Sequence, residues 1–175
     1  MSIAPTAPCI SLHTAAVLTG RSLRTWQRRI EEGAVPRLGD ERGRALVAVD
    51  AVLPALALPL GEAEVALLVR ADHGEAAAQA ELGALFALAA LRGPEDATAH
   101  LGPALHFLTR AADQGEADAM HWLGLLHAAG LCDAAERDAQ ALMWVARAAA
   151  HGHAIAARQV AALLPAGGGS QAAQQ

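Results

Sequence analysis

A chain of 175 residues accommodates one large domain or two small ones. It is 54% hydrophobic yet only 3% aromatic, with no Tyr and no Lys, so its apolar fraction is largely alanine and favours helix throughout. The net charge of −5 is split: residues 1–58 hold seven Arg against five acids, and the remainder six Arg against thirteen acids, so the front can approach a polyanion and the back cannot.

Cys9 and Cys132 lie far apart without CxxC spacing, which excludes a disulfide framework or a zinc knuckle. The start, MSIAPTAPCI, lacks the basic and apolar regions of a secretory signal. The longest apolar stretch, residues 45–60, is broken by Asp50, Pro54 and Pro59 and is too short to span a bilayer. The expectation is a cytoplasmic, bacterial protein with no membrane partner, its exclusive use of Arg reflecting a GC-rich genome.

In chain order, residues 1–9 carry two prolines and no periodicity and are expected to be disordered. Structure is expected from Ser11, a helix N-cap, through a short helix to Leu18. A turn at Gly20 follows, then a second helix capped by Ser22 and stopped by Gly33. Two short helices hinged by glycine are the sequence form of a helix-turn-helix. Residues 34–38 and 44–49 read as a two-stranded wing around a charged tip at residues 39–43, and Asp50 as the cap of a last short helix ended by Pro54. Helical geometry places Leu23, Trp26 and Ile30 on a core face of the second helix and Arg24, Thr25 and Arg28 opposite.

Thr14, Ala15, Ala16, Gly20, Ser22, Arg24, Thr25, Trp26, Arg28, Gly33 and Pro36 match a pattern by which residues 10–57 resemble the winged helix-turn-helix of MerR-type regulators and phage excisionases. The resemblance implies a DNA-binding module. Arg24, Thr25 and Arg28 would enter the major groove, with Ser22 at the start of the reading helix, and Arg21, Arg42 and Arg44 would meet phosphates or the minor-groove edge. Two departures stand out, Arg21 in the turn where an aliphatic is usual and Arg29 where an aromatic is common. A two-Arg face on one small module is too little for tight binding, so a homodimer, or a partner held by the rest of the chain, is required.

Residues 54–61, PALALPLG, read as a short, stiff linker. Beyond it the chain repeats itself: RADHGEAAAQAELGALF (70–86), RAADQGEADAMHWLGLL (110–126) and RAAAHGHAIAARQVAALL (147–164) align on Gly74, Gly115 and Gly152, spaced by 41 and 37 residues. Each copy has a helix closed by the glycine and a second helix of small residues, on which the next helix can pack closely. Phe86, Phe107, Trp122 and Trp144 are expected to fill the wider gaps, and LRGPEDATAHLGP (91–103) to be a long connector. One such hairpin cannot bury its own apolar face, so copies stack.

Ala112, Gly115, Ala117, Ala119, Leu123 and Gly124, with Asp138 in the following loop, carry a resemblance of residues 62–164 to the Sel-one-like repeat, a relative of the tetratricopeptide repeat. It implies a solenoid of about three hairpins that binds a protein partner and has no catalytic residues. The third copy has Val160 and Ala161 in place of Leu-Gly, as a terminal cap does. Residues 165–175 read as a disordered tail. The fold expected is therefore mainly α, a winged helix-turn-helix followed by an α-hairpin solenoid.

No phosphate loop, dinucleotide fingerprint, H-E-x-x-H or G-x-S-x-G occurs, so neither catalysis nor a cofactor is expected. His73 and His151 precede helix-ending glycines, where a cation suits the helix dipole, and no histidine pair has metal-ligand spacing. Asp96, Asp133 and Asp138 read as solvated loop residues. The function expected is a DNA-binding transcriptional regulator or adaptor with a protein-binding repeat domain. The alternative is a scaffold whose two modules both bind proteins, and a third reading is ligand sensing between hairpins.

Overall fold

The computed structural model describes residues 7–40, 43–93, 96–132 and 135–163. The chain is mainly helical, with one small antiparallel sheet near its start. Helix α1 (Leu12–Thr19) is capped by the Ser11 hydroxyl, which accepts from the Thr14 N–H at 3.2 Å, and ends at Gly20 in the left-handed region. Helix α2 (Leu23–Glu31) is capped by Ser22 in the same way, and Gly33 at φ 72° turns the chain away.

Strands β1 (Cys9–Ser11), β2 (Leu38–Gly39) and β3 (Ala45–Ala48) form a sheet in the order β1-β3-β2, with Ile10 opposite Val47 and Leu38 opposite Leu46. The two-stranded wing is thus a three-stranded sheet, because β1 pairs with β3 and so orders Cys9, the last residue expected to be disordered. The first wing strand is also shorter than expected. Where Asp50 was expected to cap a helix ended by Pro54, two 3-10 turns (Val49–Ala51 and Leu53–Ala55) follow an Ala48 cap, with Pro54 inside the second. Ile10, Ala15, Leu18, Trp26, Val35, Val47, Val49 and Val52 make the core beneath the sheet.

Six helices follow: α3 (Glu62–Asp72), α4 (Ala76–Arg92), α5 (Ala97–Asp113), α6 (Ala117–Ala128), α7 (Arg137–Ala150) and α8 (Ala154–Leu163). The first of each pair ends at Gly74, Gly115 or Gly152, all with φ between 91° and 96°, a conformation that closes a helix at no Cβ cost. Residues 97–103, expected in a connector, are the first turns of α5, with Pro103 inside the helix. Residues 54–61 are not a free spacer either, because Leu56, Leu58 and Leu60 pack onto the buried core and Leu58 and Leu60 lie against Leu85 and Leu88 of α4.

The glycine after Leu82 and after Leu123 sets how near the following helix comes. A Cβ on Gly83 would lie 2.7 Å from Leu108 Cγ and 3.0 Å from the Leu108 backbone nitrogen, and one on Gly124 would lie 2.8 Å from Val145 Cγ2 and 3.3 Å from the Ala141 carbonyl. Phe86 and Phe107 are fully buried beside these contacts, while Trp122 and Trp144 are half-buried at their edge. Gln79, wholly buried, is satisfied by donating to the Ala71 carbonyl at 3.0 Å and accepting from Gln114 Nε2 at 2.8 Å, which ties the first pair to the second. Of the expected loop aspartates, Asp96 and Asp138 are exposed at the starts of α5 and α7, and Asp133 lies outside the described residues. Residues 165–175 also lie outside them.

Gly83→Ala and Gly124→Ala are expected to destabilise the protein by about 1 to 3 kcal/mol through overpacking, in spite of the better helix propensity of alanine. Urea melts of the two variants check the sign.

Candidate nucleic-acid interface

Helix α2 projects from the sheet with one side committed to the core. Trp26 is fully buried there, and its Nε1–H donates to Thr19 Oγ1 at 3.3 Å. Ile30 is half-buried beside it. Leu23 was expected on this face but is 43% exposed, since at the first position of α2 it overhangs the turn instead of reaching the core.

The other side carries the arginines. Arg21 and Arg24 are exposed and form no ion pair among the described residues. Arg28 is exposed as well, its Nε 3.6 Å from Glu32 Oε1 in a pair so open to solvent that it contributes little. Arg29 goes the other way, its guanidinium 5.3 Å above the Trp26 ring, so of the Arg28-Arg29 doublet only Arg28 faces outward. Ser22 and Thr25 are engaged with each other, their hydroxyls 2.9 Å apart, so both hydroxyls belong first to the helix cap.

The wing differs from expectation. Arg44 donates from its backbone N–H and its Nε to the Asp40 carboxylate, at 2.8 and 2.6 Å, and Asp40 closes the turn by accepting from Gly43 N–H. Arg44 is thus ion-paired within its own turn, and Asp40 raises its pKa further above the ordinary guanidinium value. Arg42 lies outside the described residues. An exposed cation that motif matching passed over is Arg37, beside Gln27, Ile30 and Glu31 in a shallow hollow.

What decides whether the arginine side stays open is where the helices of the acidic half attach. They attach through α1 and β1. The Asp72 carboxylate at the end of α3 accepts from the Ser11 backbone N–H at 3.0 Å, from the Ser11 hydroxyl at 2.7 Å and from the buried Thr14 hydroxyl. His13 of α1 meets His106 of α5 with ring centroids 5.2 Å apart. Between these elements and the α1–α2 turn runs an open crevice of about 540 Å³ lined by Ala16, Val17, Leu23, Gly102 and the two histidines. Among the described residues no carboxylate of α3–α8 pairs with Arg21, Arg24 or Arg28.

Four further histidines have structural places. His73 and His151 are the C-caps of α3 and α7. His153 accepts from the Ala156 N–H at 3.1 Å, which caps α8, and stacks on His121 at 4.1 Å, a contact between successive copies that spacing alone did not reveal. Among the described residues no group of three or more His, Cys, Asp or Glu is placed to hold a metal, and no helix is long and apolar enough to cross a membrane. No family profile matches the chain, and neither does any curated protein or solved structure.

Burial lowers the pKa of His106, with His13 and Arg110 adding repulsion and Asp72 opposing it; burial also lowers those of His121 and His127. A histidine whose folded pKa lies below its unfolded value near 6.5 takes up its proton more readily when unfolded, so stability is lost as pH falls through about 6.5. Urea midpoints are expected to drop between pH 7.5 and 5.5, and the drop to shrink in His106→Asn. Asp72→Ala, which leaves the Thr14 hydroxyl and the Ser11 amide without their acceptor, is expected to cost about 2 to 3 kcal/mol at pH 7, read from the same melts.

Proposed function

We propose that the chain is a DNA-binding regulator or adaptor, in which residues 10–57 act as a winged helix-turn-helix and residues 62–164 as a protein-binding repeat domain. The observation that carries this reading is the placement of Arg24 and Arg28 on the solvent side of α2, opposite Trp26, with Arg21 exposed in the turn before it and the acidic half attached at α1 and β1. A short helix that is capped at its start, anchored by one tryptophan and arginine-bearing outside is suited to a major groove, where Arg bonds bidentately to guanine. Arg37 is suited to the phosphates at the edge of that surface.

The second reading, a scaffold binding proteins with both modules, is favoured by two observations. Asp40 engages the wing arginine, and Glu32 lies beside Arg28. The two readings differ in salt response, because a surface that neutralises several phosphates loses affinity steeply as salt rises from about 50 to 200 mM.

DNA selected from a random pool and titrated at fixed salt provides the test. Arg24→Ala and Arg28→Ala are each expected to weaken binding by about 1 to 3 kcal/mol and to relax sequence preference, whereas Arg37→Ala is expected to weaken all sequences alike. Affinity equal to that of the unsubstituted protein in both Arg24→Ala and Arg28→Ala would end the DNA reading.

A further inference from the structure

We propose that the outward face of α7 is a self-association surface on which a second copy of this chain docks through its own α7. The two-fold axis passes between Leu142 and Met143. Among the described residues, four of the six large hydrophobic side chains that stand exposed belong to the last two helices: Leu142 (49%), Met143 (39%), Ile155 and Leu163. At about 100° per residue, the exposed Ala139 and Ala146 share the centre of one α7 face, Leu142 and Met143 flank them, and Asp138 and Arg147 mark the two edges.

The corresponding row one copy earlier shows what such a face does. At the Gly115-to-Gly152 offset, Ala139, Leu142, Met143 and Ala146 correspond to Gly102, Leu105, His106 and Thr109 of α5. There the row lies against the front of the chain, with His106 against His13 and Gly102 in the crevice wall. On α7 the row is bare and has become more apolar.

Three features select a second copy as the occupant. First, the outward row Ala139, Leu142, Met143 and Ala146 is symmetric about its middle: antiparallel pairing sets Ala139 of one copy against Ala146 of the other and leaves Leu142 and Met143 each beside its own counterpart. The alanine centre lets the axes approach to about 8 Å, the near end of the usual helix spacing. Second, that pairing keeps like charges apart, because the two Asp138 carboxylates, and likewise the two Arg147 guanidinium groups, are separated by about 13 Å along the axis, beyond the roughly 8 Å screening length at physiological salt. Arg147 is further drawn over the Trp144 ring, 4.5 Å from its centroid, clear of the alanine row. Third, residues 62–118 carry ten acids against three Arg and would repel their own copy, whereas residues 135–163 carry Glu136 and Asp138 against Arg137, Arg147 and Arg158.

A 14-residue helix is about 21 Å long, so this contact falls at the small end of specific interfaces and the dimer is weak and concentration-dependent. Sedimentation of the full chain without DNA, from about one to several hundred micromolar, is expected to show monomers passing into dimers. Met143→Glu, at a surface position, is expected to raise the dissociation constant by about tenfold or more. Ile155→Glu and Leu163→Glu are expected to leave it unchanged. Leu142→Cys is expected to yield a covalent dimer on mild oxidation, above the background of the unsubstituted protein and of Ile155→Cys. A monomer over the whole range with no Leu142→Cys dimer overturns the proposal, as does a dimer that Met143→Glu leaves intact. Because DNA is absent from these measurements, a dimer that ignores DNA removes only the DNA reading, and a monomer that binds DNA removes only this one.

Discussion

One carboxylate joins the two halves of this protein. Asp72 lies in the last turn of α3, where the C-terminal end of the helix dipole disfavours an anion, and its oxygens are aimed at the first turn of α1, where the dipole favours one. Helix α1 has no acidic residue in its own first turn, so α3 supplies the negative end that its sequence lacks. The three bonds that Asp72 accepts are charge-assisted, and one comes from a buried hydroxyl. Together with the His13–His106 contact, geometry at this point holds α1 and β1 against α3 and α5.

The consequence reaches α2 by a short path. Ser11 accepts the N-cap bond of α1 through the same hydroxyl that donates to Asp72, and Thr19 at the far end of α1 holds the Trp26 indole. Trp26 in turn fixes which side of α2 faces out. A chain of single contacts thus runs from the acidic half to the arginine side through α1. The turn that carries Arg21 shares a crevice with Gly102 and His106 of α5, while Arg24 and Arg28 pair with no carboxylate of α3–α8 among the described residues.

Much of this was legible in the sequence because it rests on local chemistry. Gly20, Gly33, Gly74, Gly115 and Gly152 stop helices where they were expected to, since a positive φ is a demand made within one turn. Ser11 and Ser22 cap as their positions implied. What was not legible depends on residues far apart. Strand β1 is three residues long and is ordered by β3 some forty residues later. Asp72 finds its partners about sixty residues upstream, and the His121–His153 stack joins two copies. Within the arginine set, local reading placed Arg21, Arg24 and Arg28 outside but could not foresee that Arg44 would be held by Asp40 across a turn, or that Arg29 would lie over Trp26. The connector at residues 91–103 was misread because two Gly-Pro pairs look alike, although Pro103 falls inside α5.

The leucine-glycine pairs also set α8 apart from the helices before it. Gly83 admits Leu108 and Gly124 admits Val145, so in each case the glycine makes room for a helix that follows. At the corresponding place in α8 stands Ala161, exposed, with no later described helix against it. An alanine there costs nothing because no helix has to come that near. Helix α8 leaves Ile155 and Leu163 exposed beside its small residues, whereas Leu142 and Met143 of α7 are large, exposed and set among alanines that would accommodate a second helix.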